Sequence, residues 1–203
     1  CSHEGNELLC GQCVQHIPAV PPRCYRCKQV SRGYATCSSC RRYSALTQVG
    51  VFSTYDGLIK ELVHAYKYER ASGAARQLGK LLKPLLDEFE GSFVLVPAPT
   101  ATSRVRQRGY DHAVLLTRRL GRETGNPVVE VLARVGQAHQ VGSDRKARFA
   151  HAKGAFRVRL SQKIANKHVV LVDDILTTGA TLEAAAKILK QAGAKKVSAI
   201  VVA

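Results

Sequence analysis

Methionine is absent from all 203 residues, and only 6% of them are aromatic. A chain that opens on Cys1 without a methionine anywhere points to a natural beginning upstream of it. So few aromatic rings leave little for stacking along a run of bases. Acids are scarce as well, 15 Asp and Glu against 31 Lys and Arg, for a formal net charge of +16. No window approaches 18 consecutive apolar residues, and the amino terminus lacks the apolar core of a signal peptide. The chain therefore reads as soluble and cytoplasmic, with no membrane insertion. No two glycines stand two residues apart, which excludes the dinucleotide-binding fingerprint. No glycine is followed by Lys-Ser or Lys-Thr, which excludes a P-loop.

What is present begins with VVLVDDILTTGATLEAAAKIL, residues 169–189. Val169, Val170, Leu171 and Val172 show no polar alternation, as expected of a strand buried on both faces of a parallel sheet. Asp173 and Asp174 fall at its carboxyl end, the edge where open α/β sheets bind ligands. Thr177 to Thr181 then feed a helix with Leu182, Ala185, Ala186 and Leu189 on one face. A turn of small residues opening a helix offers free backbone N–H groups and a positive dipole end, and threonine hydroxyls add donors, which suits a phosphate. Carboxylates beside it can accept from sugar hydroxyls or hold a divalent ion. An ordinary strand-to-helix turn explains Thr178 and Gly179 but not both aspartates. Together the residues describe a site for a phosphorylated sugar.

All seven cysteines lie within the first 40 residues, and six form Cys-x-x-Cys pairs: Cys10/Cys13, Cys24/Cys27 and Cys37/Cys40. In a cytosolic chain such pairs are thiolate knuckles for zinc more often than disulfides. Cys24, Cys27, Cys37 and Cys40 make a complete tetrahedral set. Cys1, Cys10 and Cys13 are one ligand short. A cysteine three places upstream of Cys1, or His3 or His16, would complete this set, and a pairing interleaved with the other set is equally open. One or two structural zincs are expected, stapling a module at 1–43 that is too short for a core of its own.

From residue 44 the pattern alternates. Strands are expected at 49–55, 93–97, 127–132, 168–172 and 197–203. Helices are expected at 57–68, with Leu58, Leu62, Ala65 and Tyr66 on one face, at 74–89 with a bend at Pro84, and at 111–124. Strands alternating with helices imply a parallel sheet, so 44–203 reads as an α/β domain. Basic charge is concentrated in 91–168, with fifteen basic residues against four acidic ones. Arg104, Arg106 and Arg108 recur at every second position in a loop that follows 93–97, where arginine forks suit phosphate oxygens. The long polar segment 139–158 suits a lid that excludes water from a reactive centre.

Val169 to Thr181 resembles, position by position, the 5-phosphoribosyl 1-pyrophosphate (PRPP) signature of type I phosphoribosyltransferases. The resemblance narrows to the ComF family through the cysteine knuckles, YKY (66–68), VPAP (96–99), RQRGYDH (106–112), QVGSDRKAR (140–148), GAF (154–156) and VDDILTTGAT (172–181), in that order. The family more usually shows Arg-Gly-Phe-Asn-Gln at 108–112, Gly-Leu-Ser-Arg at 142–145 and Asn at 151. Asp111 and His112 therefore alter the charge beside the pyrophosphate loop.

The resemblance implies a type I phosphoribosyltransferase-like sheet with an amino-terminal zinc module, binding PRPP with magnesium. Asp173 and Asp174 would hold the ribose. Ile175, Leu176, Thr177, Thr178, Gly179, Ala180 and Thr181 would wrap the 5-phosphate, while Arg108, Arg145 and Arg148 would face the pyrophosphate. Turnover would displace pyrophosphate at the anomeric carbon through an oxocarbenium-like state. The family's link to competence also implies single-stranded DNA and the DNA-uptake machinery as partners, with PRPP as a regulatory ligand in a non-catalytic alternative. Arg23, Arg26, Arg41 and Arg42, with Tyr25, Tyr34, Tyr43 and Phe52, would supply the module's share of a DNA track.

Overall fold

The computed structural model describes residues 8–69, 71–134 and 156–203. Along the chain run α1 (Gly11–Gln15), α2 (Ser38–Arg41), β1 (Val49–Val51), α3 (Gly57–Tyr68), α4 (Ala71–Leu86), β2 (Phe93–Pro97), α5 (Thr102–Arg108), α6 (His112–Thr124), β3 (Leu132–Arg134), β4 (Phe156–Val158), β5 (His168–Asp173), α7 (Ala180–Gln191) and β6 (Lys196–Val201). The strands β1-β6-β5-β2 form a four-stranded sheet in that order, every pair parallel. No helix among the described residues is long and apolar enough to cross a membrane.

The strand period of two divides the core. Leu95, Val170, Val172 and Ile200 face the layer of α3, α4 and α6. Val94, Val96, Val169, Leu171, Val197, Ala199 and Val201 face α7 together with Leu46 and Tyr25. With both faces covered, β5 has no polar alternation to show. In α7 the buried positions are the expected Leu182, Ala185, Ala186 and Leu189. In α3 the buried stripe is Ile59, Leu62, Val63 and Tyr66, rotated from the expected face so that the two β-branched residues enter the core.

Four expected boundaries are corrected. The sheet-forming part of 49–55 stops at Val51, after which Ser53 bridges antiparallel to Ala19. Helix α4 starts at Ala71 and ends at Leu86, so Pro84 occupies its last turn, and the bond lost with its missing N–H falls where the helix stops. The stretch 127–132 is mostly irregular. Val128 makes a single parallel bridge to Leu95, and Leu132–Arg134 pairs antiparallel with Phe156–Val158. Helix α6 lies directly on this stretch: a Cβ on Gly121 would come within 2.4 Å of Val128 Cγ2. Of the segment expected to form a lid, 156–158 is strand β4, and 139–155 lies outside the described residues.

Candidate ligand site and metal centre

The acidic pair closes β5, but its two carboxylates have different surroundings. Asp174 is buried at 5% exposure, and Lys67 Nζ ion-pairs with its Oδ2. His112 Nε2 lies 3.8 Å from the same oxygen. Burial by itself raises the Asp174 carboxyl, yet Lys67 and His112 outweigh it and hold Asp174 below the ordinary carboxylate range. Asp173 is partly exposed, and its Oδ1 accepts from the Asp174 amide at 2.9 Å. Desolvation and the neighbouring Asp174 charge push its carboxyl up.

Lys67 reaches this position because YKY and RGYDH lock together. Tyr110 Oη donates to the carbonyls of Tyr66 at 2.5 Å and Lys67 at 3.2 Å, capping the end of α3. Tyr66 Oη donates to the His112 carbonyl. Asp111 caps α6, accepting from the Val114 amide at 3.3 Å and from Thr100 Oγ1 at 2.8 Å.

Arg108 Nη1 lies 3.0 Å from His112 Nδ1. A guanidinium can only donate, so Nδ1 is the acceptor and the ring proton sits on Nε2, toward Asp174. Burial lowers the His112 pKa, and the charges of Arg108 and Lys67 add to that against the opposing Asp174. His112 is therefore a neutral link between Arg108 and Asp174. Ligand atoms of His112, Asp173 and Asp174 converge within 4.8 Å, as a cation site would require. With Nε2 protonated and Lys67 on Asp174, only Asp173 is free to meet an ion directly.

The three arginines expected in one loop stand on helix α5, where Arg106 points nearly opposite to Arg104 and Arg108, which share a side one turn apart. Arg104 and Arg106 are exposed, whereas Arg108 is half-buried against His112, the neighbour of Asp174. Arg108 Nη2 donates to Tyr68 Oη at 3.2 Å, and its Cζ lies 5.0 Å from the Tyr68 ring centroid. Arg108 Nε is buried without a hydrogen-bond partner among the described residues. Arg145 and Arg148 lie outside those residues.

The loop after the acids is tied at its base by backbone bonds. Leu176 N donates to Ala203 O at 2.5 Å, and Val202 N and Ala203 N both donate to Asp174 O at 3.1 Å. Beyond it, Thr177, Thr178, Ala180 and Thr181 are exposed. Thr178 Oγ1 accepts from the Ala180 amide at 3.3 Å. Gly179 caps α7 at φ +73°, a left-handed conformation that a side chain would strain. An ordered, exposed turn on a helix amino terminus next to two carboxylates can grip a phosphate with a sugar attached.

The second cluster is Cys24, Cys27, Cys37 and Cys40, whose Sγ atoms all lie within 4.8 Å of one another, Cys27 and Cys37 at 3.6 Å. Tetrahedral zinc with bonds of about 2.3 Å requires sulfur separations near 3.8 Å, so the set fits that ion. Burial opposes ionisation of Cys24, yet backbone amides of Cys27, Cys37 and Arg26 bring its thiol down to about 6. Hydrogen bonding with Cys37, burial and the other neighbouring thiols push Cys40 up to about 12. Four thiolates in this space need a cation. Cys10 stands at the start of α1 and Cys13 lies within it, both among the described residues. Cys1 lies outside those residues.

The knuckle docks on α7. Tyr25 is buried, and its hydroxyl bonds Glu183 and, at 2.9 Å, Ser44. Arg26 pairs with Glu183 at 3.4 Å, and the Ala45 amide donates to Glu183 Oε2 at 3.0 Å. Tyr34 is also buried, so neither tyrosine is available for base stacking as expected. Of the expected rings Tyr43 is available, 67% exposed under Arg42, and Tyr68, 60% exposed beside Arg108, joins it. Sequence reading missed the site roles of Lys67, Tyr68, His112 and Glu183. The YKY and RGYDH motifs marked the first three without revealing that they meet, and Glu183 carried no signal beyond its place in the first turn of α7.

A parallel α/β sheet with an acidic pair and a phosphate-type turn at one strand's carboxyl end is the architecture of the type I phosphoribosyltransferases. The chain belongs to the phosphoribosyl transferase domain family, which matches residues 68–203. Its ComF character is upheld by relatives aligned over nearly the whole chain. It is 27% identical to competence protein F of Haemophilus influenzae, covering 96% of this chain and 90% of that protein. It is 28% identical to the DNA utilization protein YhgH of Salmonella typhi, covering 97% and 88%. Among solved structures, it resembles the glutamine phosphoribosylpyrophosphate (PRPP) amidotransferase from B. subtilis complexed with ADP and GMP at 19% identity and a TM-score of 0.48. That match covers 68% of this chain and only 30% of the amidotransferase chain.

Proposed function

We propose that the protein binds PRPP with magnesium at the carboxyl edge of β5 and transfers the phosphoribosyl group to an acceptor nucleophile, whose bond to the anomeric carbon forms as the bond to pyrophosphate breaks. The observation that carries this reading is the pairing of a freer acid, Asp173, with the exposed threonines of the turn on the amino terminus of α7. Asp173 accepts from the ribose hydroxyls, and Thr177 to Thr181 hold the 5-phosphate. Arg108, with its unpartnered Nε, meets the pyrophosphate, joined by Arg145 and Arg148. Asp174 and Lys67 fix the strand end beneath the sugar. Magnesium, a hard cation that keeps several waters, fits Asp173 and the ligand's own oxygens, and when bound it neutralises charge on the departing pyrophosphate. Zinc in the four-cysteine set is structural, stapling residues 1–43 to the domain at 44–203.

Single-stranded DNA is the proposed macromolecular partner, through the DNA-uptake machinery. The exposed Tyr43–Arg42 and Tyr68–Arg108 pairs favour it, since each offers a ring and a cation to a base and its phosphate. The competence and DNA-utilization names of the relatives agree with it. Isothermal titration of the full chain with PRPP and magnesium, then with Asp173→Asn, tests the ligand. Saturable binding by the wild type and its loss in the variant are expected. Unchanged binding in the variant would sink the ribose assignment.

A further inference from the structure

Tyr25 stands between two ligands of the four-cysteine set and is the residue that reaches from the knuckle into the core beside α7. A Cβ on Gly179 would lie 3.1 Å from Tyr25 Cε2, so the ring closes the buried side of the turn at its one left-handed residue. From the same side, Tyr25 Oη, Arg26 and the Ala45 amide all hold the Glu183 carboxylate. Glu183 sits in the first turn of α7, where a free carboxylate would compete with a bound phosphate for the helix's positive end. The metal module thus both supports the turn and keeps that negative charge turned away from it. We infer that Tyr25 and Glu183 are positioning residues through which the zinc knuckle sets the shape and anion affinity of the turn Thr177–Thr181. The inference rests on the phosphate reading of that turn. It assigns the amino-terminal module a part in ligand binding besides stapling its own segment.

The test uses full-length, zinc-loaded protein, titrated calorimetrically with ribose 5-phosphate and, separately, with inorganic pyrophosphate. Tyr25→Phe keeps the ring and should bind ribose 5-phosphate within about threefold of wild type, whereas Tyr25→Ala should weaken it by about tenfold or more. Pyrophosphate, held from the Arg108 side, should change by less than about twofold in both. Should Tyr25→Ala fail to fold, Tyr25→Leu fills the core beside α7 without a ring against Gly179 or a hydroxyl on Glu183, and the same one-sided loss is expected. Zinc content must remain that of wild type, which separates repositioning of the turn from loss of the metal. Equal affinity for ribose 5-phosphate in a folded, zinc-loaded variant overturns the inference alone, as does an equal loss for both ligands. A wild type that binds neither overturns the phosphate reading and the inference with it.

Discussion

Asp173 and Asp174 are neighbours in sequence, but only one is free to meet a ligand, and substitution should tell them apart. Asp174→Asn leaves Lys67, 13% exposed, without its counter-charge and should cost about 3–5 kcal/mol of stability, read by urea unfolding. Asp173→Asn removes a carboxyl whose ionisation burial already disfavours, so the unliganded protein should melt no lower than wild type while losing the stabilisation that PRPP and magnesium confer. A double variant would confuse these effects. His168, at the start of β5, gives the pH response. It is 8% exposed, bonded to Ser198 Oγ at 3.0 Å and packed on Phe89 and Phe93. Burial, with Lys196 and Lys190, takes its pKa down to about 4. Because the folded state resists protonation and the unfolded chain does not, its contribution is present above about pH 6.5 and is lost as pH falls toward about 4, up to about 3 kcal/mol. Unfolding between pH 7 and 4 should show this loss, and His168→Gln should remove most of it.

At the scale of elements, legibility followed burial. Runs covered on both faces, such as 93–97 and 168–173, declare themselves because no polar residue interrupts them, and α7 declares itself through a clean apolar stripe. The acidic pair and turn were legible for the same reason: one strand-turn-helix unit carries all of them. Helix α5 was not legible, because its seven residues bury nothing and so carry no apolar period. The irregular path at 127–131 was equally hidden, since a single bridge to Leu95 leaves an apolar run that reads as strand. Contacts between distant motifs, Lys67 to Asp174 and Tyr25 to Gly179, have no local signature. The half-burial of Arg108 against His112, with Arg104 and Arg106 exposed, makes a prediction: Arg108→Ala should weaken PRPP binding by about tenfold, while Arg104→Ala and Arg106→Ala should leave it within about twofold. Calorimetry on the three single variants checks it. The four-cysteine knuckle, legible from spacing alone, should hold one zinc by native mass spectrometry, and Cys24→Ser should release it and lower the melting temperature.

Across the whole molecule, a net charge of +16 is a statement about partners before it is one about fold. Positive charge spread over many exposed side chains attracts any polyanion, so affinity for DNA alone says little. What discriminates is where the dependence on salt resides. Arg104 and Arg106 are exposed on α5 and Arg42 is exposed over Tyr43, and none of the three contacts the acidic pair. Arg108 serves that pair and also lies against the exposed Tyr68. If single-stranded DNA follows these cation-aromatic pairs, each phosphate neutralised adds about 0.7 to the slope of log affinity against log salt. Arg42→Ala should then flatten the slope by about that amount and Tyr43→Ala should weaken binding by about 1–3 kcal/mol, both leaving PRPP affinity unchanged. Arg108→Ala should weaken both ligands, and saturating PRPP should displace part of the DNA. Fluorescence anisotropy of a labelled oligonucleotide, at several salt concentrations with and without PRPP, measures all of these quantities together. Absence of binding even at low salt would remove DNA as a partner and leave the basic surface to phosphate chemistry. A slope unchanged by Arg42→Ala would instead move the DNA track away from the four-cysteine module.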